Sequence, residues 1–227
     1  MAVRLLEAKK IIKGATKGPY VIIKELKENV YKLQNITTKQ ICIMKIILDV
    51  KHPLWSMGVT KPSERSLFFH QLLAERNLSP KVLEYFKLRP INAVAGPSTQ
   101  SGVVLILEYI SGAMTEENTE DPIVCDAIDQ AIERLHSMGL VHGDLHSMNI
   151  RLRRGYIIKM PTAEVTDFIE VYLIDLDAVF LMWEYESTTF VKEWITRNFD
   201  LPTGGSSLEE FIEYERTQYR TFADVDS

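Results

Sequence analysis

Short runs of β-branched, leucine and aromatic residues, separated by polar residues, dominate the first half of the chain. Such runs are typical of strands, and five of them predict strands at residues 20–26, 29–35, 39–47, 81–88 and 102–110. Between the third and fourth runs, SERSLFFHQLLAERN has apolar residues at helical spacing and predicts a helix over residues 63–77 with Ser63 as its N-cap. The pattern therefore predicts a β-rich first domain, residues 1–110, with one helix.

The pattern changes after residue 110. A polar connector leads into a segment with strong helix signals over residues 121–139, where Asp121 can cap the helix, Pro122 suits its first position and Gly139 can end it. Two strand-like runs and a pair of amphipathic helices are predicted further on, at residues 155–160, 170–179 and 187–220. We expect a second domain, residues 111–227, with a short helical part, and an α+β fold for the whole chain.

Composition sets broad limits on the class of protein. The chain has 227 residues, of which 46% are hydrophobic and 25% charged, as in ordinary folded domains. Neither an apolar run of roughly 20 residues, the length that spans a bilayer, nor the apolar core of a secretory signal is visible. The two cysteines, Cys42 and Cys125, lack a metal-binding spacing, which indicates a reducing compartment. We expect a cytoplasmic protein, in the host cytoplasm if it is a secreted effector, without a transmembrane segment.

The charge is distributed unevenly along the chain. The net charge of −5 argues against a dedicated nucleic-acid-binding protein. Residues 1–61 contain twelve basic and four acidic residues, whereas the rest of the chain contains fourteen basic and twenty-seven acidic ones. A basic first part beside an acidic second part suits an anionic ligand. A solvated, lysine-rich sheet is the alternative explanation.

The stretch LVHGDLHSMNI, residues 140–150, concentrates polar residues directly after the predicted helix. A phosphate-transfer site needs a carboxylate that accepts a proton from a hydroxyl, and hard oxygen ligands for a divalent cation. Asp144 is the candidate base, and Asn149, five residues further on, can offer an amide oxygen to a metal. Asp175 follows an apolar strand in VYLIDLD and is the candidate carboxylate ligand.

A candidate cation for phosphates lies in the basic first part. Lys45 interrupts the apolar run ICIMKII, and Glu64, near the start of the predicted helix, could hold it in an ion pair. Structural roles remain open for each residue. Lys45 could extend its ammonium from a half-buried strand to solvent, and Glu64 could simply favour the helix dipole. Asp144, Asn149 and Asp175 could be turn or strand-end residues.

Together these motifs resemble the protein-kinase-like superfamily in a compact, atypical form. HGD at residues 142–144 is similar to the catalytic loop of RIO-type kinases, lipopolysaccharide-core kinases, the small kinase of the KEOPS complex, and aminoglycoside and choline phosphotransferases. VYLIDLD resembles the metal-binding strand, CIMKI the strand of the nucleotide lysine, and LEYISG, residues 107–112, the hinge between lobes. Val30 lies fifteen residues before Lys45 and Glu64 nineteen after it, which is the family's usual spacing.

The resemblance covers residues 20–180 and implies a bilobal kinase-like fold, with a β-rich N-lobe that has one helix and a truncated helical C-lobe. It implies ATP in the cleft together with Mg²⁺ or Mn²⁺, Asp144 as the catalytic base, and Asn149 and Asp175 as metal ligands. It also implies a nucleotide-binding set made of Val30, Lys45, Glu64, Glu108, Tyr109 and Ile110.

The sequence departs from the family pattern in several places. Where the glycine-rich loop is expected, KELKENVYK at residues 24–32 contains no glycine, so Lys27 or Lys32 could replace its phosphate contacts. No activation segment follows the metal-binding strand. His146 stands where conventional Ser/Thr kinases have a lysine, and it could contact phosphate or belong to the scaffold. His142 is expected to be a packed histidine that braces the loop.

We expect an ATP-dependent phosphotransferase. The first choice of acceptor is a Ser/Thr residue of a protein, because the chain has no room for the large helical substrate region of small-molecule kinases. The compact form is also similar to bacterial effector kinases. A sugar, lipopolysaccharide-core or antibiotic kinase is the alternative that His146 favours, and a nucleotide-binding pseudokinase is the one that the absent glycine loop favours. We expect a monomer that binds a protein substrate and no nucleic acid.

Overall fold

The computed structural model describes five ranges of the chain, residues 18–49, 61–88, 101–159, 164–187 and 207–220. They form two compact units. The first contains the described residues up to Glu75 and Pro80–Tyr109, and the second contains Arg76–Ser79 and the described chain from Ile110 onward. The short piece Arg76–Ser79 joins the second unit through a hydrogen bond of 2.7 Å from the Leu173 amide to the Leu78 carbonyl.

The first unit is built on a five-stranded antiparallel sheet. Its strands are β1 (Tyr20–Lys27), β2 (Val30–Asn35), β3 (Ile41–Leu48), β4 (Val82–Leu88) and β5 (Gly102–Glu108), in the order β1-β2-β3-β5-β4. Helix α1 (Pro62–Glu75) follows β3 in the chain. Every predicted strand and the predicted helix of this unit is found, and each end lies within two residues of the prediction. The α+β class and the β-rich N-terminal part with a helix are confirmed.

The two faces of this sheet bury different apolar layers. One face buries Met44 and Ile46 of β3 with residues of β2 and β5. The other buries Ile47 of β3 with Leu67 of α1. Because successive side chains of a strand point to opposite faces, Lys45 lies on the second face, the one against which α1 packs.

A carboxylate from outside the helix binds the first turn of α1. The predicted N-cap is wrong, since the helix begins at Pro62 and Ser63 lies inside it. Instead, Asp49 accepts a hydrogen bond of 3.0 Å from the Ser63 amide, and its other oxygen accepts one of 2.6 Å from the Ser101 hydroxyl. A carboxylate here satisfies a free helix N–H group and interacts favourably with the helix dipole. Asp49 thus connects α1 to the residue that precedes β5.

The connection between β1 and β2 is a tight turn of two residues, Glu28 and Asn29. Asn29 has a φ of +63°, a left-handed conformation that asparagine tolerates better than most residues. Irregularities in the β1–β2 register leave Ile23 and Leu26 outside the pairing, and both are exposed. The segment where a glycine-rich loop would be expected is therefore a closed hairpin.

The second unit begins with β6 (Gly112–Ala113), α2 (Glu116–Glu120), α3 (Pro122–Ser137) and β7 (Leu140–Val141). A 3₁₀ turn (Ser147–Asn149) leads into β8 (Ile150–Lys159) and β9 (Glu164–Leu173). A second 3₁₀ turn (Leu176–Ala178) is followed by β10 (Phe180–Leu181), α4 (Met182–Ser187) and α5 (Leu208–Gln218). Strands β6, β8 and β9 form one sheet, and β10 pairs with β7.

Helix α3 forms as its sequence signals predict. The Asp121 side chain accepts a hydrogen bond of 3.0 Å from the Ile123 amide, and Pro122 occupies the first helical position. Gly139 follows the helix with a φ of +71°, a conformation that glycine adopts without strain. Local sequence therefore determines where α3 begins and ends.

The hairpin of β8 and β9 is longer than predicted. Each strand has ten residues, and their pairing runs from Ile150 opposite Leu173 to Lys159 opposite Glu164. The prediction missed the start of β8, where isoleucine and leucine alternate with arginine, a pattern typical of a strand. It also extended the second strand through residues 176–178, which form a 3₁₀ turn.

Helix α5 begins with a reciprocal pair of capping hydrogen bonds. The Ser207 hydroxyl accepts from the Glu210 amide at 3.2 Å, and the Glu210 carboxylate accepts from the Ser207 amide at 3.3 Å. Four residues into the helix, Phe211 packs against aromatic and aliphatic side chains of the second unit, namely Val141, Phe180 and Tyr185. Of the two helices predicted for residues 187–220, only this one lies within the described residues.

Two observations concern the surface. Trp183 is 60% exposed. No helix in the described ranges has both the length and the apolar content needed to cross a bilayer.

We predict that Asp49→Ala lowers the free energy of unfolding by about 1–3 kcal/mol, because the buried Ser63 amide loses its acceptor and the Ser101 hydroxyl loses a second hydrogen bond. Asp49→Asn should cost less, since its amide oxygen can still accept from Ser63. Urea unfolding of both variants tests this, with the exposed Glu75→Ala as the control. An Asp49→Ala protein as stable as the control would contradict the role given to this carboxylate.

Candidate functional site

The first unit holds the predicted nucleotide residues. Lys45 of β3 pairs with Val30 of β2 on one side and with Leu105 of β5 on the other. Its side chain is largely buried, with 8% of the residue exposed, so it does not extend to solvent as the structural alternative supposed. Burying an ammonium group is costly. A lysine at this position therefore suits a role that needs a cation.

The predicted ion pair between Lys45 and Glu64 is wrong for this structure. The Glu64 carboxylate accepts a hydrogen bond of 2.9 Å from Lys87 of β4 and lies 3.5 Å from Lys61. Glu64 sits in the first turn of α1 on its solvent side, and its side chain is 40% exposed. Two exposed lysines are within reach there, whereas Lys45 is buried in the sheet. Lys87 chiefly, with Lys61 adding its charge, lowers the pKa of Glu64.

The predicted hinge residues fall at the junction of the two units. Glu108 ends β5, and its amide donates a hydrogen bond of 2.9 Å to the Lys81 carbonyl. Tyr109 is the last residue of the first unit, and the Lys32 ammonium lies 4.1 Å from the centre of its ring, a cation–π contact. Ile110 is buried and begins the second unit.

In the second unit, residues 142–149 form a polar turn that we call the HGD loop. It follows β7 directly and ends in the 3₁₀ turn that leads into β8. Gly143 has a φ of +80°, which residues with a side chain rarely adopt. Glycine at this position allows the chain to reverse immediately before Asp144.

His142 braces the HGD loop as predicted. It is completely buried, and its Nε2 lies 3.0 Å from the Ile174 carbonyl, to which it must donate. The other ring nitrogen, Nδ1, is then free to accept a hydrogen bond of 3.4 Å from the Asp144 amide. One histidine thus connects the backbone of Asp144 to the residue that precedes Asp175.

Asn149 organises the end of the loop through its side-chain amide. The nitrogen lies 2.8 Å from the Asp144 carbonyl, 3.0 Å from Nε2 of His146 and 3.2 Å from the Asp144 carboxylate. Since all three are acceptors, this atom must be the NH₂ group, and the amide oxygen points elsewhere. No hydrogen bond to that oxygen is present among the described residues. An unshared amide oxygen of this kind fits a hard divalent cation.

His146 has a structural contact in this arrangement. Its Nε2 accepts from Asn149, and the same atom is 3.9 Å from the Asp144 carboxylate. Of the two roles left open for His146, the scaffold role has a visible partner.

Asp144 and Asp175 lie close enough to interact electrostatically. Burial raises the pKa of the Asp144 carboxyl, and the charge of Asp175 raises it further, while the Asn149 hydrogen bond lowers it. Asp175 follows β9 with a φ of +62°, a left-handed conformation that costs energy for a residue with a side chain. The amide just before it, that of Ile174, donates to the Asn149 carbonyl at 2.9 Å.

These contacts bring Asp144, Asn149 and Asp175 together in the second unit. Within the described ranges, no group of three or more His, Cys, Asp or Glu side chains is arranged around a metal position. The donor set for a cation would be one carboxylate and one amide oxygen, which suits Mg²⁺ because this ion keeps several water ligands and binds phosphates.

Sequence reasoning missed Glu215 of α5. Its carboxylate is buried and contacts the backbone at the start of the HGD loop. One signal could have revealed it: Glu215 is four residues after Phe211 and so shares the apolar face of the helix. An acidic residue on that face needs a polar partner inside the protein.

A kinase-type motif order, an α+β architecture and a clustered Asp-Asn-Asp set define the class of protein to which this chain is similar. No family model matches the chain. It is 36% identical over 106 residues to the KEOPS complex subunit Bud32 of Pyrococcus abyssi, a match that covers 43% of this chain and 46% of that protein.

A second match is to a probable bifunctional tRNA threonylcarbamoyladenosine biosynthesis protein of Methanothermobacter thermautotrophicus. It is 36% identical over 77 residues and covers 33% of this chain and 14% of that protein. The chain thus matches less than half of either curated relative. A crystal structure of a kinase domain superposes with a TM-score of 0.42 at 16% identity, over 72% of this chain and 52% of that one.

The sequence relationship to Bud32 supports the resemblance to the protein-kinase-like superfamily that the motifs indicated. The TM-score is too low to add support. The roles of the individual site residues remain predictions.

We predict that Lys87→Ala raises the pKa of Glu64 toward its ordinary value, because the mutation removes the hydrogen bond and charge that favour the carboxylate. Lys45→Met should leave this pKa unchanged. Carbon-detected NMR titration of the Glu64 carboxyl in both variants tests the pairing. The opposite result, a rise only in Lys45→Met, would restore the predicted Lys45–Glu64 pair.

Proposed function

We propose that this protein is an ATP-dependent phosphotransferase that transfers the γ-phosphoryl group of ATP to a hydroxyl, with a Ser/Thr residue of a protein as the acceptor. One observation carries the proposal: the Asp144 carboxyl is fixed beside Asn149 and Asp175, and its pKa is raised. A base works best when its pKa approaches the working pH. The kinase-like relative supports the use of ATP.

Within this proposal each residue has a defined task. Asp144 orients the acceptor hydroxyl and accepts its proton. Asn149, through its amide oxygen, and Asp175 would hold Mg²⁺, which neutralises phosphate charge when bound. Lys45 supplies a further positive charge for phosphates. Catalysis is then mainly positioning and electrostatic stabilisation.

The β1–β2 turn supports a second candidate function. A hairpin closed by Glu28 and Asn29 offers no glycine-rich backbone to bind phosphates. A nucleotide-binding pseudokinase does not need to hold the phosphates as firmly as phosphoryl transfer requires. This candidate predicts nucleotide binding without turnover.

The relatives suggest where the acceptor or partner could be sought. Bud32 is a subunit of the KEOPS complex, and the second relative is assigned to tRNA threonylcarbamoyladenosine biosynthesis. Nucleic-acid-associated proteins are therefore included among the acceptors to be tested, beside small molecules with a sugar or antibiotic hydroxyl.

We predict that Asp144→Asn lowers phosphate transfer by about 10²–10⁴-fold, because the amide cannot accept the proton. The assay uses γ-labelled ATP and Mg²⁺ in a cell lysate with its small molecules retained. Lys45→Met should also reduce transfer, and the exposed Asp126→Asn on α3 should not.

The position of the label distinguishes the candidates. Label on protein that is lost in Asp144→Asn supports the proposed protein kinase, and label only in small molecules replaces it with a small-molecule kinase. Binding of ATP by titration calorimetry without any label transfer would favour the pseudokinase.

A further inference from the structure

Glu215 carries a carboxylate in the interior of the second unit. The residue is 1% exposed and lies on α5, the last described helix. Its Oε1 accepts a hydrogen bond of 2.8 Å from the Gly143 amide, and its Oε2 accepts one of 3.3 Å from the His142 amide. The carboxylate therefore binds two consecutive backbone N–H groups of the HGD loop.

The next residue in the chain is Asp144. Two hydrogen bonds to adjacent amides restrict both the translation and the rotation of this part of the backbone. A charged acceptor also forms stronger hydrogen bonds than a neutral one. Glycine has a wide range of backbone angles, so residue 143 itself restrains the turn little. The contacts of His142 and Asn149 act on the backbone of Asp144, which follows the turn. The position of the Asp144 side chain thus depends on whether Glu215 holds this turn.

A third contact ties the carboxylate to α3. His136, in the last turn of this helix, has its Nε2 at 2.8 Å from Oε2 of Glu215. The other ring nitrogen is buried without a hydrogen-bond partner in the described part of the chain, so the hydrogen bond to Glu215 is the polar contact of this ring. The carboxylate consequently joins three segments: α5, the end of α3 and the HGD loop.

We infer that Glu215 is a positioning residue for the phosphotransfer reaction, acting through the backbone of residues 142 and 143 on the catalytic carboxylate of Asp144. This inference rests on the proposed function. A carboxylate is expensive to bury, and its three partners belong to the loop and to the helix that precedes it. A purely structural contact between α5 and α3 would not require the two loop amides.

The test compares Glu215→Ala and Glu215→Gln with Glu213→Gln in the full chain. Glu213 lies on the same helix but is exposed, with an ion pair to Arg216. The measurements are kcat and KM for ATP, thermal unfolding, and hydrogen exchange at the amides of His142 and Gly143 by NMR without nucleotide.

Glu215→Ala should lower kcat by about 100-fold, the effect of displacing a reacting group by about 1 Å. The KM for ATP should stay near the wild-type value, and exchange should accelerate at the two loop amides in particular. Glu215→Gln retains one oxygen that can accept from the Gly143 amide. Its kcat should therefore fall about tenfold, as expected for one missing hydrogen bond. Glu213→Gln should behave as wild type.

The outcomes separate this inference from the proposed function. A folded Glu215→Ala protein with wild-type kcat overturns the inference alone, as does a loss of kcat without faster exchange at these amides. Equally faster exchange throughout the second unit would assign Glu215 a purely structural role. If Glu215→Ala fails to fold, Glu215→Gln decides by the same measures. If the wild-type protein transfers no phosphate, the proposed function and the positioning role are both refuted. If Glu215→Ala leaves hydrogen exchange at the His142 and Gly143 amides unchanged, the anchoring of the loop by Glu215 is refuted independently.

Discussion

The arrangement of the second unit depends on the need of buried backbone groups for hydrogen-bond partners. In the HGD loop the chain reverses within the protein, where water cannot satisfy its N–H and C=O groups. Side chains from elsewhere supply the partners: Glu215 binds the amides of His142 and Gly143, His142 binds the amide of Asp144, and Asn149 binds its carbonyl. Removing one partner leaves a buried polar group unsatisfied, so these contacts favour the conformation of the loop seen here.

The hydrogen bonds of the HGD loop also determine the electrostatic environment of Asp144. Asp144 is held beside Asp175, and two carboxylates at close range in a partly buried site disfavour each other's charge. Such a pair accepts either a proton or a cation readily. The raised pKa of Asp144 and the unshared oxygen of Asn149 are therefore parts of the same arrangement, which suits metal-assisted transfer of a phosphoryl group to a hydroxyl.

The first unit departs from what its kinase-like motifs imply. Lys45 lies in a central strand, as the resemblance requires, but Glu64 pairs with Lys87 and Lys61 at the surface. The β1–β2 connection is a two-residue turn. Both differences affect how phosphates could be held, and both belong to the unit that the proposed chemistry relies on for nucleotide contacts. The relationship to Bud32 extends over 43% of the chain, so it supports the superfamily and leaves the acceptor open.

Local sequence determined most of the elements, because strands and helices are stabilised by neighbours in the chain and by one buried face. The five strands of the first sheet and α1 were predictable from periodicity, and α3 from periodicity and capping residues. Motif order indicated the grouping of Asp144, Asn149 and Asp175. Tertiary structure decided which side chains from distant segments reach a given atom. The partner of Glu64, the capping of α1 by Asp49 and the attachment of Glu215 to the HGD loop each join residues that are far apart in the chain. Such contacts depend on how segments pack in three dimensions, and no local periodicity records them.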